Sequence, residues 1–543
     1  MTDFHLFPDL ISRSAARQPK AIALSYGKQS MNYGLLWQSI ANFVGGVVGL
    51  GLQRGERIAI YLENRLETVI ASFGATAAGC VFVPLSPLLK ADQVGYILRD
   101  CNMRALITSP ERLPLLASVL PTCHDLRHVI QVNPDPLSAS GGPLTWLHWD
   151  DLLQAGAQSG HRVIDTDMAA ILYTSGSTGK PKGFVLSHRN MVAGAKSVAS
   201  HLENTADDTL LAALPLSFDA GFSQLTTGFH AGARVVLLNQ LPIAARCPQG
   251  AGARAGDGSH GGATAVHPAL ATGMSSRHLR ISALFRQPRR ANATRNPGLA
   301  LRERLPKSRP YLMDGLTEAF RSTYLPPDEV DRRPDSIGKA IPNAEILLLR
   351  ENGSPCAANE PGELVHRGAL VGMSYWNDHE KTAERYKPLP ASTPGRDAGL
   401  VLPEIAVFSG DTVRKDEEGF LYFIGRRDEM MKTSGYRVSP TEVEEVLYAT
   451  QLVGECVAFG VDHPTLGQAM QVIVTPHRVA VSASPSCSPN AEAGCLPTWC
   501  RLASSSGKAP LPRNPNGKID RKALSGEFLA CSQEAGTQSG SPS

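Results

Sequence analysis

Apolar and polar positions along the first 130 residues follow two rhythms. Leu6 to Ala16 and Leu35 to Leu50 carry apolar residues at helical spacing, which predicts two amphipathic helices. Ile58 to Leu62 reads as a strand, Leu66 to Ala78 as a helix and Val81 to Leu85 as a strand; Asp92 to Leu98 is helical and Ala105 to Ile107 a strand. Strand–helix–strand alternation with short connections predicts a parallel sheet covered by helices. Residues 133–143 are rich in Pro, Ser and Gly and read as a loop. Ala169 to Leu172 is a short buried strand, and Ser187 starts a helix running to about Ser200. Leu210 to Leu214, Pro215 to Asp219 and Ala233 to Leu238 read as strand, turn and strand. Further on, Tyr311 to Glu318 reads as a strand ending in a polar turn, and Ile337 to Pro342 and Gly362 to Val365 as strands of a β-rich part. A helix follows Ser439, with Ser439 as N-cap, Pro440 at the first helical position and Glu442 three after the cap. Val443, Val446 and Leu447 form its expected buried face. Cys456 to Val461 and Met470 to Val474 read as paired strands, and the polar tail 525–543 as disordered.

Composition narrows the class without naming the chemistry. A chain of 543 residues exceeds one ordinary core and predicts several domains. With 42% hydrophobic and 19% charged residues it is a folded globular chain, not a disordered one. A net charge of +3 gives no electrostatic reason to bind nucleic acid or a membrane surface. No apolar run reaches the length of a membrane span, and the N-terminus lacks a basic region before an apolar core. The ten cysteines show no CxxC or Cys/His ligand spacing, so reduced thiols in a cytoplasmic enzyme are expected.

Chemistry enters at Tyr173 to Gly183, YTSGSTGKPKG. A buried strand feeding a Gly/Ser/Thr loop with lysines can present backbone N–H groups, hydroxyls and charge to phosphate oxygens. The glycine spacing is not that of a Walker loop, because Lys180 is followed by Pro181. The stretch resembles, almost residue for residue, the phosphate loop of AMP-forming acyl-adenylate synthetases. That resemblance assigns Thr174, Ser175, Gly176, Ser177, Thr178, Gly179 and Lys182 to the nucleotide, with Thr178 also in the catalytic set. Tyr311 to Glu318 resembles the family's Y-G-x-T-E element. It implies that Glu318 helps hold Mg²⁺, in keeping with the oxygen ligands a hard cation takes, and that Asp314, Gly315 and Thr317 touch the nucleotide. Asp314 stands where the family has an aromatic, so weaker ATP binding is expected. Phe408 to Asp411 resembles the ribose-binding element, in which the Asp411 carboxylate is a bidentate acceptor for a vicinal diol.

Gly425 to Glu444 resembles the hinge and the start of a small C-terminal domain. Arg426 is the ribose-binding arginine by that likeness, Asp428 the residue about which the domain turns, and Gly435 a lining residue of the thiol's tunnel. Asn514 to Arg521 resembles the terminal motif, whose lysine, Lys518, delivers a point charge to the reacting phosphate. The wall of the acid pocket falls at Phe218 and Asp219. In the amino-acid-activating relatives an aspartate here pairs with the substrate's amine; a plain capping role at a turn or helix is the alternative. The implied architecture is α/β: an N-terminal adenylation domain over 1–424 with parallel-sheet αβα layers and a β-rich part, and a mobile α+β domain over 425–524.

Two stretches break the pattern. Residues 242–300 hold thirteen alanines, eight glycines and eight arginines, no lysine, one acid (Asp257) and one aromatic (Phe285). Residues 477–506 also lose periodicity. Both read as out-of-frame translation. Codons can be chosen for Arg286 to Pro297 so that the next frame reads ANPGGRMPRETL, resembling the family's Gly-Gly loop. For Thr498 to Ser504 a shifted frame can read HMVPARIE, resembling the strand before the last motif. The resemblance implies ATP-dependent activation of a carboxylic acid to an acyl-adenylate, then transfer to CoA, with ATP, Mg²⁺ and CoA as partners. Leu214 to Leu238, Leu316 to Lys339 and Tyr422 to Thr450 look nearest to bacterial acyl-CoA ligases associated with exosortase systems. Two alternatives stand beside it: an amino-acid-activating ligase loading a carrier protein, its phosphopantetheine thiol replacing CoA, and an inactive frameshifted remnant.

Overall fold

The computed structural model describes residues 4–133, 143–174, 181–239, 279–280, 309–391, 393–394, 396, 399–426, 431–433, 436–438, 440–450, 453–463, 467–476, 500–504, 511–513, 519–521 and 523–528. Four sheets organise them. The largest parallel unit runs, in spatial order, through Met168–Thr174, Val81–Pro84, Arg57–Tyr61, Ala105–Thr108, His128–Gln131 and Thr145–His148. Lys182–Ser187 and Ser374–Tyr375 add an antiparallel edge to it. A second sheet pairs Thr209–Ala212, Arg234–Leu237 and Ile22–Tyr26 in parallel, and the hairpin strand Gln29–Asn32 adds to Ile22–Tyr26 antiparallel. The expected parallel architecture is therefore present, edged by antiparallel strands.

The helices expected from periodicity form at Asp9–Arg17, Tyr33–Gly49, Leu66–Ala77, Ala91–Asp100 and His188–His201. Ser187 caps the last of these, its hydroxyl accepting from Asn190 N at 3.2 Å while Ser187 N donates to Asn190 Oδ1 at 2.9 Å. Leu66–Ala77 is buried from Thr68 to Thr76. Phe7, Phe73, Phe82 and Phe222 stack through this core, with Phe7 and Phe73 centroids 4.3 Å apart and Phe82 and Phe222 4.9 Å apart. The aromatic column ties together the N-terminal segment, the helices Leu66–Ala77 and Asp219–Ala231 and the strand Val81–Pro84 of the larger parallel unit.

Between Thr209–Ala212 and Arg234–Leu237 the structure corrects the expected strand–turn–strand: a helix, Asp219–Ala231, makes the crossover. A parallel pair needs such a crossover, since a turn cannot return the chain to the same end of the sheet. Downstream, an antiparallel sheet joins Leu312–Asp314, Thr323–Leu325, Ser336–Ala340, Leu421–Arg426, Ile405–Lys415, Gly362–Gly368 and Ala344–Leu349, the expected β-rich part. Arg426 is the last residue of a strand in this sheet.

The last sheet contains Met431–Thr433, Tyr436–Val438, Gly467–Pro476, Val453–His463 and, parallel to Gly467–Pro476, Cys500–Ser504. The helix Pro440–Ala449 packs on it through buried Val443 and Leu447. Val446, expected on that buried face, is 42% exposed. It lies three after Val443, and the angular step carries it past the rim of the stripe. In the stretches that read as patternless, two backbone segments do pair: Leu279–Arg280 with Thr209–Ala212, and Cys500–Ser504 with Gly467–Pro476. The rest of 242–300 and 477–499 lies outside the described residues. Five described cysteines, Cys80, Cys101, Cys123, Cys356 and Cys456, are free thiols. Among the described residues no helix is long and apolar enough to cross a membrane.

Candidate active site

The strands Met168–Thr174 and Lys182–Ser187 form an antiparallel pair in which Thr174 stands opposite Lys182. They hold the two ends of the glycine-rich turn; Ser175, Gly176, Ser177, Thr178 and Gly179 themselves lie outside the described residues. The start of the turn is anchored from below. The buried Tyr173 hydroxyl donates to the Asp100 carboxylate and lies 3.1 Å from Cys101 Sγ. Trp376 Nε1 donates to the Asp100 carbonyl at 2.9 Å.

On the other side, Ser374–Tyr375 pairs with Lys182–Ser187, placing Tyr375 opposite Phe184. This short strand carries the link to Glu318. Tyr375 Oη donates to Glu318 Oε1 at 2.7 Å, Gly372 N donates to the Glu318 carbonyl at 2.8 Å, and Tyr386 Oη reaches the same carbonyl at 3.4 Å. Burial and the Glu318 charge both raise the Tyr375 and Tyr386 hydroxyls well above the usual tyrosine range. They remain donors at every physiological pH. Lys182 Nζ lies 3.4 Å from Asp378 Oδ2, so the lysine beside the turn is already oriented by a carboxylate.

Glu318 sits on a single 3₁₀ turn, Thr317–Ala319, which follows the strand ending at Asp314. Asp314 Oδ1 accepts from Gly315 N at 2.9 Å, and its carbonyl accepts from Ser322 N at 3.1 Å. The Asp314 carboxylate is therefore folded back onto its own turn. Among the described residues no cluster of three or more His, Cys, Asp or Glu can hold a metal ion. One carboxylate is nevertheless what Mg²⁺ uses when substrate phosphates and water supply its other ligands, and Glu318 fits that role.

Asp411 and Arg426 face each other across paired strands, with Arg426 Nε 3.2 Å from Asp411 Oδ1. Gly-Asp does not make a simple turn here but a bulge inside Ile405–Lys415. Opposite Val365 and Glu363 stand Phe408 and Thr412, so the strand accommodates extra residues between them. Gly410 takes φ +69°, and a Cβ there would lie 2.1 Å from Arg385 Nη1. The bulge turns the Asp411 carboxylate toward Arg426 while Glu363 Oε1 accepts from Gly410 N at 3.0 Å.

Phe218 and Asp219 open the crossover helix. Asp219 is its first residue and its Oδ1 accepts from Ala220 N at 2.8 Å, the arrangement of a helix-start carboxylate. Gly435, Asp428 and Lys518 lie outside the described residues. The structure thus brings Thr174, Lys182 and Glu318 together through the strand Ser374–Tyr375, and pairs Asp411 with Arg426. Sequence reasoning missed Tyr375, Asp378, Arg385 and Tyr386, the connecting residues. Their only signal is an aromatic-and-charge cluster, Tyr375 to Tyr386, in an otherwise polar stretch.

The AMP-binding enzyme family model matches residues 11–376, which span the phosphate loop, Glu318 and Tyr375. A long-chain-fatty-acid–CoA ligase of Salmonella typhimurium is 27% identical over 517 residues, covering 88% of this chain and 86% of that protein. A linear gramicidin synthase of Brevibacillus parabrevis is 25% identical over 536 residues, covering 94% of this chain but 9% of that protein. The fold is that of the o-succinylbenzoate coenzyme A synthetase MenE from Bacillus subtilis, solved with ATP and magnesium ion: TM-score 0.72 at 22% identity, over 95% of this chain and 99% of that one. With the family's model running from residue 11 to residue 376, through both the Gly/Ser/Thr motif and Glu318, this chain belongs to the AMP-binding enzymes.

Proposed function

We propose that this chain joins a carboxylic acid to a thiol at the expense of ATP, releasing AMP and pyrophosphate. In the first half, a carboxylate oxygen attacks the α-phosphorus and pyrophosphate leaves, giving an acyl-adenylate. In the second, a thiol sulfur attacks the acyl carbonyl, AMP leaves with the bridging oxygen, and the thiol proton is released. The observation that carries this reading is Glu318, fixed by Tyr375 on the strand that pairs with the phosphate-loop strand. Three hydrogen-bond donors keep that side chain and its backbone in place before any substrate arrives, which lowers the reorganisation cost of charge development. Asp411 would accept the ribose hydroxyls, with Arg426 orienting its carboxylate. Mg²⁺, held by Glu318 and the substrate's phosphates, would supply charge neutralisation. Lys518 would add a further positive charge, and rotation of the domain over 425–524 about Asp428 would exchange it for the thiol tunnel lined by Gly435.

Coenzyme A is the thiol in this reading, in line with the ligase relative, and the subtype is the exosortase-associated acyl-CoA ligase. The gramicidin synthase relative supports a second reading, an amino-acid-activating ligase with a carrier protein in trans. Against that stands Asp219, whose carboxylate is turned onto the first turn of its own helix, accepting from Ala220 N. The two frame-shifted stretches belong to the proposal too, and sequencing the encoding DNA tests them: codons incompatible with the hidden strings overturn the frame reading. For the function, pyrophosphate release is measured with alkanoic, dicarboxylic and amino acids, with and without CoA. Acid-dependent release with CoA-dependent thioester supports it. Turnover with amino acids alone overturns it.

A further inference from the structure

The segment from Gly372 to Tyr386 runs from the Glu318 turn past the strand Lys182–Ser187, and it is pinned on both sides. Met373 N donates to the Val185 carbonyl at 2.9 Å and Trp376 N to the Gly183 carbonyl at 2.8 Å, which carries the pairing up to the residue beside Lys182. From the other side, Trp376 Nε1 and Asn377 Nδ2 both donate to the Asp100 carbonyl at 2.9 Å. Asn377 takes φ +52°, a left-handed conformation that asparagine tolerates better than most residues. The kink ends the pairing and sets Asp378 next to Lys182.

Asp378 divides its carboxylate between two partners. Oδ1 accepts from Lys381 N at 2.9 Å and so caps the helix His379–Arg385. Oδ2 lies 3.4 Å from Lys182 Nζ. Capping needs only one oxygen, and the second is turned to the lysine. A charge-assisted hydrogen bond measures about 2.7–2.9 Å; the longer spacing is that of an ion pair that orients the ammonium without locking it. The Lys182 and Asp378 side chains are 21% and 33% exposed, so an incoming anion can reach the pair. Glu384, the other carboxylate whose charge Lys182 feels, is engaged by Lys381. Three residues before Asp378, Tyr375 holds Glu318. One short segment thus fixes both the carboxylate proposed for the metal and the ammonium at the end of the glycine-rich turn.

We propose that Asp378 is a positioning residue that acts through Lys182. It holds the ammonium beside the turn while no nucleotide is bound, gives it up to the phosphates of ATP, and takes it back as pyrophosphate leaves. The proposal rests on the nucleotide-binding reading above, in which Lys182 faces phosphate, and adds the counter-charge that sets how tightly the phosphates are held. Each exchange breaks one ion pair as it makes another, so Asp378 competes with the ligand. Removing its charge frees Lys182 and tightens phosphate binding, the reverse of what losing a structural residue does.

Mg·ATP and, separately, magnesium pyrophosphate are titrated calorimetrically into the full chain, Asp378→Asn, Lys182→Met and the double variant. Asparagine caps a helix as well as aspartate does, so Asp378→Asn keeps the cap and removes the charge. Thermal melting checks that each variant is folded. Both ligands are expected to bind about threefold or more tighter to Asp378→Asn, a modest change because a part-exposed pair is screened. In the Lys182→Met background the same substitution has no such effect, the coupling that a double-mutant cycle isolates. Unchanged or weaker binding by a folded Asp378→Asn overturns the inference, as does absence of binding by the native chain. Equal tightening without the lysine also overturns it, since that is direct repulsion between Asp378 and phosphate. If Asp378→Asn fails to fold, Asp378→Ser, a second uncharged cap, answers the same question. Failure of the parent reading looks different: the ligands bind and the coupling is present, yet no acid releases pyrophosphate from ATP.

Discussion

Two tyrosine hydroxyls and a backbone amide converge on Glu318, so its replacement by Gln keeps the shape and removes the charge. Acid-dependent pyrophosphate release by Glu318→Gln is expected to fall on the order of 10²-fold, with a raised Mg²⁺ requirement, the scale seen when one preorganised electrostatic group is lost. An unchanged Mg²⁺ titration would remove Glu318 from the metal. Gly410 makes a separate prediction. Any side chain there must adopt φ +69° and displace the Arg385 guanidinium. Gly410→Ala is expected to cost about 1–3 kcal/mol in urea unfolding and to raise the KM for ATP, because the bulge aims Asp411. Glu318 and Asp411 were legible because each belongs to a short local motif. Tyr375 and Tyr386 were not: their partner lies 57 and 68 residues away, and only the fold creates the contact.

At the scale of elements, Asp219–Ala231 is the instructive case. Its residues Ala220 to Phe229 are all buried, so it has no polar face to generate a helical period. Glycines and threonines further weaken its local propensity. The same packing predicts its sensitivity. Gly221 approaches the preceding loop so closely that a Cβ would lie 2.0 Å from the Pro215 carbonyl oxygen. Gly221→Ala is expected to lower stability by about 1–3 kcal/mol, the range for overpacking, read as a drop in the urea midpoint. Wild-type stability in that variant would mean the helix can shift away from the loop that carries Phe218. The amphipathic helices Asp9–Arg17 and His188–His201 were legible for the opposite reason, since each keeps exposed polar positions beside its buried stripe.

For the whole molecule, the alternation of strands and helices was legible from Arg57 to Thr108, where pattern and burial agree, while the short strands Ile22–Tyr26, Gln29–Asn32 and His128–Gln131 were not read. It was not legible where the crossover helix is buried all round, nor in the stretches read as frame-shifted. One global property follows from buried histidines. Burial lowers His188, His201 and His366 from 6.5 to about 4 each. Between those values the unfolded chain binds protons that the folded chain does not, so stability is complete above about pH 6.5 and falls as pH drops toward 4. Each histidine contributes a slope of about 1.4 kcal/mol per pH unit in that window. The depressed carboxylates, among them Asp167 and Asp416, lose their stabilisation only below the ordinary carboxylate range. Urea midpoints are therefore expected to fall from pH 7.5 to pH 5, and a flat profile would contradict neutral burial of these rings. The central claim concerns which bond is broken and is tested by isotope. The chain is incubated with Mg·ATP, CoA and a panel of acids carrying ¹⁸O in the carboxylate, and the nucleotide product is weighed by mass spectrometry. Adenylation predicts AMP containing one ¹⁸O from the acid, with unlabelled pyrophosphate; label in inorganic phosphate with ADP formed, or no labelled AMP from any acid, contradicts it.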